Sequence, residues 1–472
     1  MNGTTTEDFA ATLSRFATRL TLAKLPPSAV LAAKANIFDT LACAAAGSSA
    51  AGIPELRSLA LEWAGAPQAS ILIFGDKLPA HHAAWINGAM AHARDYDDTH
   101  DAAVLHAGVS VVPAALAAAE LAGGVSGADF ISGVAAGLET ISRLGVATQI
   151  GIIESGYMYT SLFGHFAATV AASRVLGLNE DQMVNALGIN YSQVAGNHQV
   201  TRDAALTKRM QPGFAAMSAL IAVQMARLGI RGVQNTFEGE DGFLRVYLHD
   251  RCDRAALRAN LGERFEFTQL SYKPYPCCRF NHPAISAALA LRQAIGGRTD
   301  HIRGIRVGLN HQAYDAVCTP VEVRKSPKTV VQAQFSIPYT VATALIDGGV
   351  RLEHFADTAL KREDLLSLAS KVEASVNEEI ERQAGRNVSP VLLEIELSDG
   401  SVHRLRVDAP LGHPGYPMSE DDFDTKARDC MQVAARPLGH EAAARLRTLV
   451  NQLEESSNAS ELIKALMPLP PA

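Results

Sequence analysis

Aromatic side chains are scarce in this 472-residue chain. Phe, Trp and Tyr together make up 6 %, and only two residues are Trp. A core with few rings has to be filled by small and aliphatic groups, which favours many closely packed, alanine-rich helices. Charged residues are also few, 19 % against 48 % hydrophobic, which excludes a disordered chain. Basic blocks are missing and the net charge is −7, so the charge pattern does not suit nucleic acid. No uninterrupted apolar run reaches the roughly 18 residues of a membrane span. The opening residues, MNGTTTEDFAATLSRFA, lack the basic and apolar regions of a secretory leader. The six cysteines (43, 252, 277, 278, 318 and 430) are scattered. The adjacent pair Cys277-Cys278 has neither metal-ligand spacing nor the placement of an easy disulfide. These absences predict a cytoplasmic protein with reduced thiols and no membrane partner.

The length exceeds the roughly 250–300 residues over which one core grows, so two domains are expected. From about residue 7 to 268 the pattern is helical. SAVLAAKANIFDTLACAAAG (28–47) opens on a serine cap and closes on glycine, and GHFAATVAASRVLGLN and FAAMSALIAVQMARLG end in the same way. After about 270 the character changes. Ile305, Val307 and Leu309 alternate as a strand buried on one face does. VLLEIELSDGSVHRLRV (391–407) is two alternating runs joined by Asp399-Gly400, a hairpin signal. Between these strands, AQFSIPYTVATALIDGG and REDLLSLASKV read as helices. The expected fold is mainly α with a smaller α+β domain. An all-helical bundle domain covers 1–268, with 408–472 packing back onto it, and an α+β lid domain covers 269–407. The tail LMPLPPA is expected to be loose.

Three stretches concentrate chemistry. HARDYDDTHDAAVLHAG (92–108) holds Asp95, Asp97, Asp98, Asp101, His92, His100 and His106 between apolar flanks. If the helix before it runs on through Asp98, then Asp95, Asp98 and Thr99 share a face near its C-terminus. The dipole there disfavours a carboxylate, and a helix start after His106 (Pro113 suits a first turn) disfavours an imidazolium. A reluctant carboxylate beside a neutral histidine makes an acid/base pair. A solvated acidic loop is the plain alternative. In ALTKRMQPGFAAMSA, Lys208 and Arg209 precede a long apolar helix, where an anionic ligand would offset dipole repulsion. In YKPYPCCRFNHPAISAALAL, Lys273, Arg279 and His282 are stiffened by prolines, at the expected domain boundary where ligand clefts form. One acid/base cluster and two cationic patches suit a small polycarboxylate, an anionic guest. DDTHD (97–101) also fits the D-D-x-x-D magnesium-diphosphate motif, with EDDFD (420–424) as a second acidic patch, but the lysine stretches go unexplained on that reading. His100-Asp101 matches the H-D pair of metal phosphohydrolases only as a dipeptide.

NGAMAHARDYDDTH, SLFGHFAATVAASRVLGL, LTKRMQPGFAA, GEDGFLRVY, YKPYPCCRFNH, AQFSIPYTVATAL and PLGHPGYPMSEDDFDTKARD stand in this order over about residues 30 to 430. As an ordered set they resemble the MmgE/PrpD family, whose members include 2-methylcitrate dehydratase, cis-aconitate decarboxylase and iminodisuccinate epimerase. The resemblance implies an all-helical domain with an α+β lid, a homodimer, and catalysis without metal or organic cofactor. By motif position it implies catalytic roles for Asp95, His106, Lys208 and Lys273, and substrate contacts from Thr99, Arg279, His282 and Tyr339. His92, Asp97 and Asp101 are then read as structural.

One position departs from the family. Many members carry a histidine in a G-(aromatic)-H-P-T motif, where this chain has GYMYT and Met158. Methionine neither transfers protons nor holds an anion by charge, and His165 is too far along to replace it. Met158 is expected to make that wall of the pocket apolar, which argues against methylcitrate and cis-aconitate themselves. The expected activity is a cofactor-independent hydro-lyase acting on a small hydroxy di- or tricarboxylate by general acid/base catalysis in an interdomain cleft. Epimerisation or decarboxylation of a similar acid is the alternative on the same scaffold, and Met158 would also fit a non-catalytic binding homologue.

Overall fold

Alanine gives the first part of the chain its helices, because it loses no side-chain entropy on ordering and lets neighbouring backbones come close. A computed structural model describes residues 7–384, 388 and 390–468. They form two compact units. One contains the described residues up to Ala93, Asp97–Leu270 and those from Asp424 onward; the other contains Arg94–Tyr96 and Ser271–Phe423.

The first unit is helical apart from a short two-residue ladder. Its main helices are α1 (Pro27–Gly47), α2 (Ala80–His92), α3 (Gly108–Leu121), α4 (Gly127–Ala147), α5 (Tyr159–Val175), α6 (Glu180–Tyr191) and α7 (Gln211–Arg227). α5 packs against α3, α4 and α7, and α2 packs against α1, α3 and α7. One close crossing sets the site. A Cβ on Gly88 of α2 would stand 2.9 Å from the Gly213 Cα of α7 and 3.1 Å from the Val109 carbonyl oxygen. Only glycine lets these backbones touch, and the contact brings the end of α2 beside the start of α7. α1 and α4 are long and apolar enough to cross a membrane by length and composition, but 78 % and 94 % of their apolar windows are buried inside the protein, so they read as core helices.

Several local expectations change. Ser28 does not cap α1, which starts at Pro27 with Pro26 in the cap position. A proline fits that first position because its missing N–H would have no helical partner. Pro113 lies inside α3 rather than in its first turn, since α3 begins at Gly108. The segment starting at Glu420 is two helices, Glu420–Gln432 and Ala442–Asn451. Of the tail expected to be loose, Leu466 is buried and its carbonyl accepts the Ile73 N–H at 2.8 Å, while residues 469–472 lie outside the described residues.

The second unit is α+β. Helix α8 (His282–Ala294) is followed by strand β1 (Ile302–Leu309), helix α9 (Ile337–Asp347), and strands β2 (Val372–Val376), β3 (Val391–Leu397) and β4 (Val402–Val407). The sheet order is β2-β1-β3-β4, with β1 and β2 parallel and the other pairs antiparallel. A parallel pair needs a long crossover, which α9 and its neighbours supply. The β3–β4 hairpin turns at Asp399-Gly400, where Gly400 has φ +83°. Inward residues of β1 and β3 form one core with α8 and α9. β2 starts at Val372, the last residue of the stretch REDLLSLASKV read as helix, and its other residues carried no assignment. Residues 408–423, expected with the helical domain, cluster in the second unit, because Tyr272 N–H donates to the Gly412 carbonyl at 2.9 Å and Arg279 Nη1 to the Leu411 carbonyl at 3.3 Å.

Candidate active site

The acidic stretch is not a helix face. α2 ends at His92, and Asp95 sits at φ +53°, a left-handed conformation unusual for a non-glycine residue. Asp95, Asp98 and Thr99 therefore do not share one helical face. The loop that follows folds back on itself. His100 and Leu105 form an isolated bridge, with the His100 N–H on the Leu105 carbonyl at 2.8 Å and the Val104 N–H on the His100 carbonyl at 2.8 Å. Val104, at φ +54°, takes up the reversal. The return brings His106 against Asp97 and Asp98. The Asp98 carboxylate accepts the N–H groups of Ala107 (2.8 Å) and Gly108 (3.0 Å) at the start of α3. Gly108 has to lack a side chain, since its Cβ would fall 2.3 Å from Thr40 Oγ1 and 2.6 Å from Asn36 Oδ1. Burial, then neighbouring Asp97, push the Asp98 carboxyl above its usual range.

In the first unit the structure brings His106 and Lys208 together with His92 and Asp97. Asp97 Oδ2 lies 2.7 Å from His92 Nδ1 and 3.0 Å from His106 Nδ1. His106 Nδ1 is also 2.7 Å from the Asp98 carbonyl oxygen. Lys208 Nζ lies 3.3 Å from His92 Nε2. The directions follow from the chemistry of the groups. An ammonium only donates, so His92 Nε2 accepts and its Nδ1 carries the hydrogen. A carboxylate and a carbonyl only accept, so His106 Nδ1 also carries the hydrogen and its Nε2 offers a lone pair. Burial, then the competing pull of Asp97 and the repulsion of Lys208, leave His92 with a pKa of about 4, neutral at pH 7. Burial alone would raise Asp97, but the charge and hydrogen bonds of His106 and His92 hold it well below the usual carboxylate range. The His106 side chain is 15 % exposed, and among the described residues no partner takes its Nε2.

His92, Asp97 and His106 have ligand atoms within 4.8 Å of one another. A cation there would have to displace two N–H donors from Asp97 and sit near the Lys208 ammonium, so the donor set does not fit a metal ion. The D-D-x-x-D reading fails on direction as well. Asp97 faces two imidazoles, Asp98 caps α3, and Asp101 accepts the Thr99 hydroxyl at 3.0 Å. In the EDDFD patch, the Asp422 carboxylate accepts the Ser419 N–H at 2.8 Å and Asp424 pairs with Arg447.

In the second unit Asp95, Lys273, Arg279 and His282 are gathered. Lys273 Nζ donates to Asp95 Oδ1 at 2.8 Å and to the Asp95 carbonyl at 3.0 Å, and Lys273 is fully buried. This double grip holds Asp95 in its left-handed conformation. The segment is fixed further by Gln334, whose Nε2 donates to the carbonyls of Arg94 (2.7 Å) and Pro276 (3.1 Å). Arg279 Nη1 donates to His282 Nδ1 at 3.4 Å, and His282 Nε2 donates to the Cys277 carbonyl at 3.3 Å. His282 is thus a neutral Nε2–H tautomer; burial, then Arg279 and Lys273, hold its pKa well below the usual value.

The remaining expected residues are placed as follows. Met158 is the cap residue of α5, 8 % exposed, with the Thr201 hydroxyl 3.7 Å from its sulfur. Two residues on, the Thr160 hydroxyl accepts the His106 N–H at 3.0 Å. Tyr339 is fully buried in the core of the second unit, and its hydroxyl donates to the His354 carbonyl at 2.7 Å. His165 is used up structurally. Its Nδ1 bonds the Ser218 hydroxyl at 2.7 Å, its Nε2 accepts the Ala195 N–H at 3.4 Å, and burial lowers its pKa to about 4. The sequence reading passed over Asp97 and His92 as structural; the one signal that could have singled them out is their spacing of five residues across a helix end.

Comparison with known proteins agrees with this arrangement of motifs. The chain is 27 % identical over 471 residues to the cis-aconitate decarboxylase-like protein oryM of Aspergillus oryzae, covering 96 % of each chain. It is 28 % identical over 418 residues to the cis-aconitate decarboxylase of Aspergillus terreus, covering 85 % of this chain and 84 % of that one. It is 26 % identical over 405 residues to the cis-aconitate decarboxylase of Homo sapiens, covering 84 % and 81 %. The MmgE/PrpD N-terminal domain matches residues 11–254 and the MmgE/PrpD C-terminal domain matches residues 275–455, so the chain belongs to the MmgE/PrpD family.

Proposed function

We propose that this protein is a lyase acting on a small polycarboxylate, and that it removes water from a hydroxy di- or tricarboxylate without a metal or organic cofactor. One observation carries the reading: His106 is held with Nδ1–H on Asp97 and Asp98, which leaves Nε2 as a proton acceptor. Dehydration and epimerisation start by removing a proton from the carbon next to a carboxylate, and that step needs a base. The C–H bond breaks, the proton goes to His106 Nε2, and the electron pair stays on the substrate as an enolate. The hydroxyl leaves as water when the imidazolium of His106 returns that proton to it; Asp95, a carboxylate paired with Lys273, has no proton to give. Lys208, Lys273 and Arg279 are assigned to the carboxylates and the enolate charge. General acid/base help is worth about 10²–10⁴-fold, and preorganised charge supplies a further large share.

Decarboxylation is the second reading, favoured by the names of the relatives. It starts with loss of carbon dioxide and needs a proton donor rather than a base. Met158 supports a substrate with an apolar arm near α5 in place of a third carboxylate. A panel of hydroxy di- and tricarboxylates, with and without alkyl or aromatic arms and with cis-aconitate included, separates the reactions. Alkene formation supports dehydration. Carbon dioxide release without prior deuterium exchange supports decarboxylation, and exchange with inversion but no alkene supports epimerisation.

A further inference from the structure

We infer that Asp97 is the positioning residue of this acid/base set, and that the Lys208–His92 arm directs the abstracted proton to His106 rather than to His92. The inference rests on the reading of His106 as the proton acceptor. One carboxylate oxygen, Asp97 Oδ2, serves two imidazoles whose ring centres are 4.7 Å apart. Two adjacent imidazolium rings would repel, so the pair takes up one proton before two. The two rings differ in what covers the other nitrogen. His92 Nε2 is covered by the Lys208 ammonium, which would have to withdraw before a proton could enter. His106 Nε2 carries no such cap among the described residues, and its side chain is partly exposed while that of His92 is 1 % exposed.

When His106 accepts the proton, its Nδ1–H keeps its bond to Asp97 and the Asp98 carbonyl, and Asp97 keeps its charge. An imidazolium facing a buried carboxylate is then matched, and His92 remains a neutral donor to the same oxygen. The other charged groups in reach are Asp98, Asp39 with its Lys426 partner, and His198 beside Lys208. Asp98 has both oxygens on the N–H groups of α3, and Asp39 is paired with Lys426 at 2.6 Å, so neither replaces Asp97 as the acceptor for the imidazoles.

Two measurements on the full-length protein test this. Histidine-selective ¹⁵N labelling with long-range ¹H–¹⁵N correlation reads each tautomer, with His92→Gln and His106→Gln spectra for assignment. The expected result is Nδ1–H at both residues at pH 7, with His106 taking the first proton on acidification and His92 staying neutral. In Lys208→Met the His92 titration moves up toward that of His106. An Nε2–H tautomer at His106, or His92 protonating first, overturns the inference. This readout needs no turnover, so it stands apart from a failure to find a substrate. In the kinetic arm, Asp97→Asn removes the carboxylate charge that matches an imidazolium at His106 and weakens the acceptor shared by the two Nδ1–H groups. It is expected to lower kcat about 10²–10⁴-fold with KM within about twofold. Unchanged kcat in a folded Asp97→Asn contradicts the positioning role. If that variant fails to fold, the wild-type titration decides the point.

Discussion

Asp97 and His106 are joined by a 3.0 Å contact from Nδ1 to Oδ2, and the loop between them exists to make it. They are nine positions apart in sequence, on the loop between the end of α2 at His92 and the start of α3 at Gly108, and the chain reverses at Val104 to bring them together. The contact fixes which nitrogen of His106 faces outward.

Removal of the two groups at the ends of this network gives the first prediction. His106→Gln and Lys208→Ala are each expected to lower turnover by about 10²–10⁴-fold while the far-ultraviolet circular dichroism stays unchanged. Steady-state kinetics on the best acid of the panel reads the effect. Near-wild-type rates in either folded variant remove that residue from the mechanism.

The Asp95–Lys273 pair gives a stability prediction. Lys273→Met leaves a nearly buried carboxylate without its cation and releases a residue held at φ +53°. The expected loss is about 3–5 kcal/mol, read as a lower denaturant midpoint. Asp95→Gly combined with Lys273→Met is expected to recover part of it, because glycine adopts that conformation without strain. A double variant no more stable than Lys273→Met counts against the strain account.

Gly108 makes a sharper steric case. In Gly108→Ala the new methyl meets Thr40, Asn36 and Asp98 oxygens at 2.3, 2.6 and 2.8 Å. A cost of about 1–3 kcal/mol is expected, with reduced turnover because His106 sits on the same loop. Gly151→Ala, with no atom within 4 Å of its Cβ, is the control and is expected to stay within about 0.5 kcal/mol of wild type.

His165 gives a pH dependence of known sign. Its folded pKa of about 4 lies below the ordinary 6.5, so the unfolded chain binds the extra proton in that window and the stability it carries is lost as pH falls from 6.5 toward 4. Between pH 7 and pH 5 this amounts to about 2 kcal/mol. Asp39, raised to about 6 by burial, works in the opposite direction between 6 and 3.8, so the wild-type curve alone is ambiguous. The comparison that isolates His165 is His165→Gln: its stability is expected to fall by about 2 kcal/mol less than wild type from pH 7 to pH 5 in urea titrations. An equal fall in both proteins contradicts the neutral buried imidazole.

Helix stretches ending at glycine, the Asp399-Gly400 hairpin and the ordered motifs were legible because each signal is local. β2 was not legible, since of its residues only Val372 is buried and no alternation marks it. Nor was the left-handed backbone at Asp95, which Lys273 grips from 178 residues away. The role of Asp97 was hidden for a related reason. Its partner His106 lies beyond the His100–Leu105 bridge and reaches it once the loop has reversed there, and composition gives no hint of that reversal.

The most direct test of the central claim is proton NMR of the hydroxy-acid panel in deuterium oxide with wild-type enzyme and His106→Gln. The account predicts loss of the proton signal at the carbon next to a carboxylate together with alkene formation in wild type, and neither in His106→Gln. Alkene formation at an undiminished rate in His106→Gln, or carbon dioxide release with no exchange and no dehydration in wild type, would contradict it.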